Sequence, residues 1–227
     1  MNVFILSTGR CGSTTLEKAC SHISNYTAAH ESRCHLLGEE RVNYPDNHIE
    51  SDNRLSWFLG KLDRRYSQKD AVYVVLHRNR DTVARSYAKR IMPGRIIHAY
   101  TNGILLGKIP MEHEWRASLP LNEHEKLQVA EDYIDTVMAN IEFFVRDKKD
   151  VIRMDIDKPH KAFRELWQKI SAQGNLEEAL SEFDVRHNKS KEGLNFRSKN
   201  LISKIGSGVV RKLTRVIKKT PQFLKDA

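Results

Sequence analysis

The sequence predicts a three-layer α/β protein with a central parallel sheet flanked by helices. Apolar runs of strand length alternate along the chain with segments of helical periodicity. The connections between the runs lack hairpin signals, so successive strands are expected to be parallel. A chain of 227 residues, of which 40% are hydrophobic and 30% charged, is long enough to bury one core of this kind.

Four segments are predicted as strands. The clearest is AVYVVLH at 71–77, a continuous apolar run of the kind that parallel sheets bury on both faces. VFIL at 3–6 opens the chain, and VIRMDI at 151–156 is a third strand, although it carries Arg153. A short run at 26–29 is the second strand in chain order, and the segment that follows it is expected to be a polar loop.

Helices are predicted between these strands and after the last one. The longest, at 123–148, has apolar residues in steps of three and four, which gives the helix one continuous apolar face. Pro93 and Gly94 separate two of the shorter helices. The shorter helical segments are 13–22, 54–66, 81–90, 95–106, 159–171 and 176–183.

The net charge of +9 is concentrated at the carboxyl end of the chain. Residues 197–227 carry nine Lys and Arg side chains against one acid, Asp226, a net charge of +8. The sequence therefore divides into an α/β domain, 1–196, and a basic amphipathic tail. We expect the tail to dock on the domain, or to contact an anionic membrane surface or an acidic glycan. Because the rest of the chain is close to neutral, no nucleic-acid partner is expected.

The protein is expected to be cytoplasmic. No apolar run approaches the roughly 20 residues of a membrane-spanning helix, and the apolar start lacks the basic n-region of a signal peptide. The three cysteines, Cys11, Cys20 and Cys34, lack the paired spacing of a zinc site and are predicted to be reduced thiols.

The turn after the first strand, STGRCGSTT at 7–15, has the composition of a phosphate-binding loop. Glycines let the backbone curl around an anion, and the N–H groups at the start of the next helix point toward it. An arginine adds a fixed positive charge, and two hydroxyl side chains add donors. The alternative is a tight turn in which the serine only caps the helix. The residues concerned are Gly9, Arg10, Gly12, Ser13 and Thr14.

This loop differs from the P-loop of nucleotide hydrolases, whose signature is GxxxxGKS or GxxxxGKT. Ser13 follows Gly12 at the position where that motif has lysine. Asp155, at the end of a predicted strand, is better explained as a solvated acid than as a magnesium ligand. The loop is therefore predicted to hold a phosphate-like group, and no metal is expected.

A second anion-binding position is predicted after the strand at 71–77. Arg78 leaves the end of that strand, and Ser86 lies eight residues later, inside the next helix. Ligands of open parallel sheets bind along the edge formed by the carboxyl ends of the strands, where the first turn also lies. Two anion-binding positions on one edge indicate a nucleotide with phosphates at both ends.

These two segments resemble the cofactor motifs of sulfotransferases that use 3′-phosphoadenosine-5′-phosphosulfate (PAPS). GRCGSTT at 9–15 is similar to the loop that binds the 5′-phosphosulfate, and Arg78 with Ser86 is similar to the motif that binds the 3′-phosphate. The resemblance implies a P-loop-like fold, PAPS as the donor, and further cofactor contacts from Cys11 and Thr15. It covers about the first 90 residues well; Thr15 stands where family members have a tryptophan that stacks on adenine.

The resemblance also implies a catalytic glutamate or histidine near the end of the second strand, which is expected to lie beside the first loop. Glu31 is predicted to be the general base and His30 a second base or its partner. Arg10 is predicted to stabilise the charge that develops on the leaving phosphate. Lys189, in HNKSKEG at 187–193, is predicted to cover the nucleotide.

The acceptor is predicted to be a hydroxyl, less often an amine, of a small molecule, sugar or lipid, bound by residues 91–122. Two other functions stay open. A small-molecule kinase would bind ATP with magnesium, and the missing lysine counts against it. A non-catalytic nucleotide- or anion-binding protein would have no affinity for PAPS.

Overall fold

The computed structural model describes residues 1–105 and 121–185. All five strands in them belong to one parallel sheet, in the order β2–β3–β1–β4–β5. The prediction of an α/β protein with a parallel sheet flanked by helices is therefore confirmed. The strands are β1, Asn2–Leu6; β2, Thr27–His30; β3, His48–Ser51; β4, Ala71–His77; and β5, Val151–Asp155.

The strand β3 occupies part of the segment that was predicted to be a polar loop. All four of its residues, HIES, are buried, but only Ile49 is apolar, so the apolar pattern by which a buried strand is recognised is missing. The strand pairs with β1 on one side and with β2 on the other. The strand β3 therefore lies between β1 and β2. The end of β2 nevertheless lies beside the first loop, as predicted, since Ser13 Oγ and His30 Nε2 are 3.0 Å apart.

The helices follow the predicted alternation but are mostly shorter. The predicted helix at 54–66 is divided into a 3-10 turn, Asn53–Trp57, and an α-helix. The predicted helix at 95–106 is likewise a short α-helix followed by a π-helical turn, Tyr100–Leu105. The α-helices are α1, Ser13–Cys20; α2, Leu59–Tyr66; α3, Arg80–Ala88; α4, Ile96–Ala99; α5, Glu123–Val145; α6, His160–Lys169; and α7, Leu176–Ser181.

The long helix α5 begins at a capping box. The Asn122 side chain accepts from the Glu125 N–H at 2.9 Å, and the Glu125 carboxylate accepts from the Asn122 N–H at 2.8 Å. Its apolar face packs against α3, while α1 packs against α7 and α6 against β5. These helices cover the apolar central strands, and all five residues of β1 are buried.

In the part of the chain that the structure describes, no helix is long and apolar enough to cross a bilayer. Cys11, Cys20 and Cys34 are free, and only Cys34 is exposed.

Candidate functional site

The turn between β1 and α1 has a backbone conformation that favours glycine. Gly9, Arg10 and Gly12 have φ values of 83°, 62° and 84°. A Cβ atom on Gly9 would collide with the Tyr87 hydroxyl, and one on Gly12 would lie 2.5 Å from Ile156 Cγ1. Both glycines are therefore required by backbone conformation and by space.

Hydrogen bonds fix two carbonyl groups of this turn to the protein interior. The Gly9 carbonyl accepts from Thr8 Oγ1 at 3.0 Å and from Cys11 Sγ at 3.3 Å. The Thr8 carbonyl accepts from the hydroxyls of Tyr87 and Tyr133 at 2.5 and 3.1 Å. Burial raises the pKa of the Cys11 thiol. Cys11, predicted to contact the cofactor, is buried and does not line the cleft described below.

The start of α1 is open toward the turn. Its N-cap residue is Gly12, and its first turn contains no acidic residue. Ser13, which the alternative interpretation made a helix cap, instead hydrogen-bonds His30 Nε2 through its hydroxyl at 3.0 Å. The first N–H groups of an α-helix have no acceptor within the helix, so those of α1 are available to an anion.

A cleft opens beside the turn, on the half of the sheet edge where β2 and β3 end. The turn forms one wall, residues that follow β2 and β3 form the second, and the segment 90–97 contributes to the third. Thr15 is half-buried and does not contribute to these walls. The predicted site residues that line the cleft are Gly9, Arg10, Ser13, Thr14, His30 and Glu31.

Two of the predicted catalytic residues have left-handed backbone conformations. Arg10 has a φ of 62° and Glu31 a φ of 52°; among the described residues, four non-glycine residues have a positive φ. Such conformations cost about 1–3 kcal/mol and occur preferentially at functional sites.

The Glu31 carboxylate forms an ion pair with Arg54, with 2.5 Å between Oε2 and Nη1. The backbone N–H of Glu31 donates to the Ser51 carbonyl at the end of β3, at 3.1 Å. Burial lowers the pKa of Arg54, but the nearby Glu31 carboxylate more than offsets this, so the pKa is raised. Arg54 lies three residues after the end of β3, in the 3-10 turn Asn53–Trp57. It was not predicted as a site residue, because β3 was not recognised as a strand.

Two buried acids, Glu50 in β3 and Asp52 directly after it, form hydrogen bonds next to this ion pair. Neither was predicted as a site residue from the sequence. Asp52 is paired with buried Arg41, with 2.5 Å between Oδ2 and Nη2, and its Oδ1 accepts from the Arg54 N–H at 2.8 Å. Glu50 accepts from the N–H and hydroxyl of Ser32, the residue after the predicted base, at 2.8 and 2.5 Å. Glu50 thus holds Ser32, and Asp52 holds the backbone of Arg54. Both carboxylates are fully buried.

Arg10 lies among other arginines. Burial lowers its pKa, and the charges of Arg90 and Arg95 lower it further. Both of these arginines line the cleft. Arg10 Nε donates to Ser86 Oγ at 3.1 Å. The serine predicted to bind a 3′-phosphate with Arg78 therefore contacts the loop arginine in this structure.

Arg78 is ion-paired with Asp157, with 3.3 Å between Nε and Oδ1, on the β4–β5 half of the sheet edge. It still lies close to the turn, since its charge acts on the Cys11 thiol. The neighbour of Asp157 in the chain, Ile156, packs against Gly12. Arg78 does not line the cleft, but its ion-pair partner Asp157 directly follows the residue that packs against the turn.

Lys189 and the predicted tail, 197–227, lie outside the described residues, as does the part of the predicted acceptor segment from 106 to 120. Within the described ranges, no group of three or more His, Cys, Asp or Glu side chains is arranged to hold a metal ion.

No family model, curated protein or solved structure matches this chain. The chemistry of the site must therefore be inferred from its own groups. They are an anion-binding turn, a carboxylate and an imidazole in one cleft, and an excess of guanidinium groups.

Proposed function

We propose that the protein is a PAPS-dependent sulfotransferase of P-loop-like fold. On this proposal, it transfers a sulfuryl group to a hydroxyl, less often an amine, of a small-molecule, carbohydrate or lipid acceptor. The observation that carries the proposal is the position of Arg10, Ser86 and Arg78 around one glycine turn at the carboxyl edge of a parallel sheet.

The residues around the turn suit a nucleotide with anionic groups at both ends. The free N–H groups of α1 and the guanidinium of Arg10 suit its 5′ end. Ser86 Oγ accepts from Arg10, which leaves its own proton for a phosphate oxygen. Arg78 is 37% exposed and paired with an aspartate that is 48% exposed. Such surface pairs are weak, so a phosphate can recruit this guanidinium.

PAPS, when bound, supplies the sulfuryl group and a phosphate as its leaving group. Arg10 and the amides of the turn stabilise negative charge at the position they surround. A sulfuryl group carries less negative charge than a γ-phosphoryl group, so these donors suffice without magnesium.

In the same cleft, Glu31 accepts the proton of the acceptor hydroxyl. Its ion pair with Arg54 orients the carboxylate. His30 is hydrogen-bonded to Ser13 of the turn and is the second candidate for the proton acceptor.

Calorimetry with the desulfonated nucleotide 3′-phosphoadenosine-5′-phosphate (PAP), and in parallel with ATP and magnesium, tests the proposal. Binding of PAP without binding of ATP–magnesium is expected. A small-molecule kinase would give the opposite result, and a general anion-binding protein would bind neither nucleotide specifically. Either result contradicts the proposal.

Arg78→Ala and Arg80→Ala form a matched pair for the same experiment. Both arginines follow β4 and are at least a third exposed, but Arg80 is paired with Asp135 at 2.7 Å, away from the turn. Hydrogen bonds to charged groups contribute about 1.5–3 kcal/mol, so Arg78→Ala should weaken PAP binding about ten- to hundredfold. Arg80→Ala should leave it unchanged, and an equal loss in both variants would count against a 3′-phosphate contact.

A further inference from the structure

The walls of the cleft carry an excess of positive charge. Four arginines, Arg10, Arg54, Arg90 and Arg95, face one acid, Glu31. Four positive charges less one negative charge leave +3. Glu31 is already occupied by Arg54, so the excess belongs to the other three arginines.

Arg90 and Arg95 form no ion pair with any acid of residues 1–105 and 121–185. Both line the same cleft as Arg10, and each repels the charge of Arg10 and so lowers its pKa. Arg90 is half-buried, so solvent screens this repulsion only in part.

Most arginines elsewhere in the described residues differ from Arg90 and Arg95 in having ion-pair partners. They have a carboxylate within ion-pair distance, whether they are buried or at the surface. These pairs are Arg33–Glu40, Arg41–Asp52, Arg64–Glu39, Arg78–Asp157, Arg80–Asp135, Arg146–Asp147, Arg153–Glu142 and Arg164–Glu177. Arginines that line a cleft without an ion-pair partner among the described residues therefore indicate an anionic ligand.

The proposed donor does not account for Arg90 and Arg95. The donor contacts inferred above involve the turn, Ser86 and Arg78, and Arg78 lies on the β4–β5 half of the sheet edge. Arg90 and Arg95 line the cleft that also contains Glu31. They therefore share a cleft with the residue that we propose as the base for the acceptor.

We propose that Arg90 and Arg95 form a subsite for an anionic group of the acceptor, either a carboxylate or a sulfate or phosphate. Guanidinium groups bind such groups through two parallel hydrogen bonds, which fixes orientation as well as position. The acceptor is then an acidic molecule, whose anionic group holds its hydroxyl near Glu31. The assignment to an acceptor rests on the proposed function, whereas the binding of an anion by these two arginines does not.

Inorganic sulfate is the probe for this subsite, titrated into the full chain saturated with PAP and followed by NMR or calorimetry. The test variant is Arg90→Gln/Arg95→Gln. The control, Arg85→Gln/Lys89→Gln, removes the same charge from exposed residues of the same region that do not line the cleft. Wild type and control are expected to bind sulfate equally, and the test variant at least tenfold more weakly. Acetate in place of sulfate shows whether the subsite prefers a carboxylate.

Sulfate binding that is equal in the test variant, or absent from the wild-type complex with PAP, overturns the subsite. A tenfold loss of PAP affinity in the test variant also overturns it, because the arginines would then belong to the donor site. If the wild type does not bind PAP but its sulfate binding still depends on Arg90 and Arg95, the anion subsite stands. That result would contradict only the proposed sulfotransferase function.

Discussion

The two halves of the carboxyl edge of the sheet hold their charges in different ways. On the β4–β5 half, Arg78 lies at the surface, ion-paired with Asp157. On the β2–β3 half, Asp52 and Glu50 are fully buried, and the cleft above them carries an excess of arginine. Folding alone does not require uncompensated charge, so the contrast supports the proposal that the β2–β3 half is the side that binds an anionic ligand.

The ion pairs of the two halves also differ in how much they contribute to stability. Surface ion pairs typically contribute about 0–1 kcal/mol to stability, whereas removing one partner of a buried pair costs about 3–5 kcal/mol. Substitutions on the β4–β5 half should therefore change ligand binding and leave folding nearly intact. Substitutions beneath the β2–β3 half should change both.

The largest effect is expected from Glu31→Gln, which removes the proposed proton acceptor of the cleft. Turnover should fall about 10²- to 10⁴-fold while PAP affinity stays the same. The measurement is the rate of PAP release from saturating PAPS, with an acceptor that the wild type sulfates.

His30→Gln is the companion variant and should lose less activity than Glu31→Gln. A larger loss in His30→Gln would transfer the role of base to the histidine. Wild-type turnover by Glu31→Gln would show that the assignment of the base is wrong.

Asp52→Asn should have the largest effect on stability, because it leaves Arg41 buried without a counter-charge. Burial lowers the pKa of Arg41, but Asp52 more than offsets this, so the guanidinium stays charged. The free energy of unfolding should fall by about 3–5 kcal/mol, measured by chemical denaturation at neutral pH.

Asp135→Asn is the matched control, because it removes an aspartate from a surface pair with Arg80. Its effect on the free energy of unfolding should be small. A loss in Asp52→Asn no larger than in Asp135→Asn would contradict the difference between the two halves.

Gly9→Ala tests the turn at which the two halves meet. The new methyl group must adopt a φ of 83° and displace the Tyr87 hydroxyl. Backbone strain and overpacking together should cost about 2–4 kcal/mol of unfolding free energy and weaken PAP binding. Gly38→Ala, with a φ of 61° and nothing within 4 Å of the new Cβ, isolates the strain and should cost about 1 kcal/mol. Equal losses in both variants would show that Tyr87 does not restrict this position.

The smallest effect is the pH dependence of the surface pair Arg80–Asp135. The hydrogen bond from Arg80 lowers the pKa of Asp135 below its ordinary value of 3.8. Because the folded-state pKa is the lower one, the pair stabilises the protein above pH 3.8, and this contribution is lost as the pH falls through the folded-state pKa. Wild type and Asp135→Asn should differ slightly near neutral pH and converge at low pH, as followed by thermal unfolding. A difference that grows on acidification would contradict this assignment.

The parts of the fold that are determined by residues close together in the sequence were predictable. The strands β1 and β4 are short apolar runs, and the helix α5 has a continuous apolar face. The strand β3 was not predictable in this way, because three of its four buried residues are polar or charged. Partners from outside the strand, such as Ser32 and Arg41, make that burial and the burial of Asp52 possible.

The residues of the candidate site also differ in whether the sequence predicted them. Arg10 and Ser13 were predicted from the composition of the glycine turn, and His30 and Glu31 from the resemblance to sulfotransferases together with their position after a predicted strand. Arg54 was not, because it reaches the cleft only through the unrecognised strand β3.

The sequence by itself determined the α/β class and the glycine turn, because hydrophobic periodicity and turn conformation are properties of a few adjacent residues. Only the tertiary structure decided which charge meets which. It pairs Arg10 with Ser86, 76 positions away, and Arg78 with Asp157, in the loop that follows β5. Coulombic and hydrogen-bond energies depend on distances between atoms, and these distances exist only once the order of the strands has brought remote segments together.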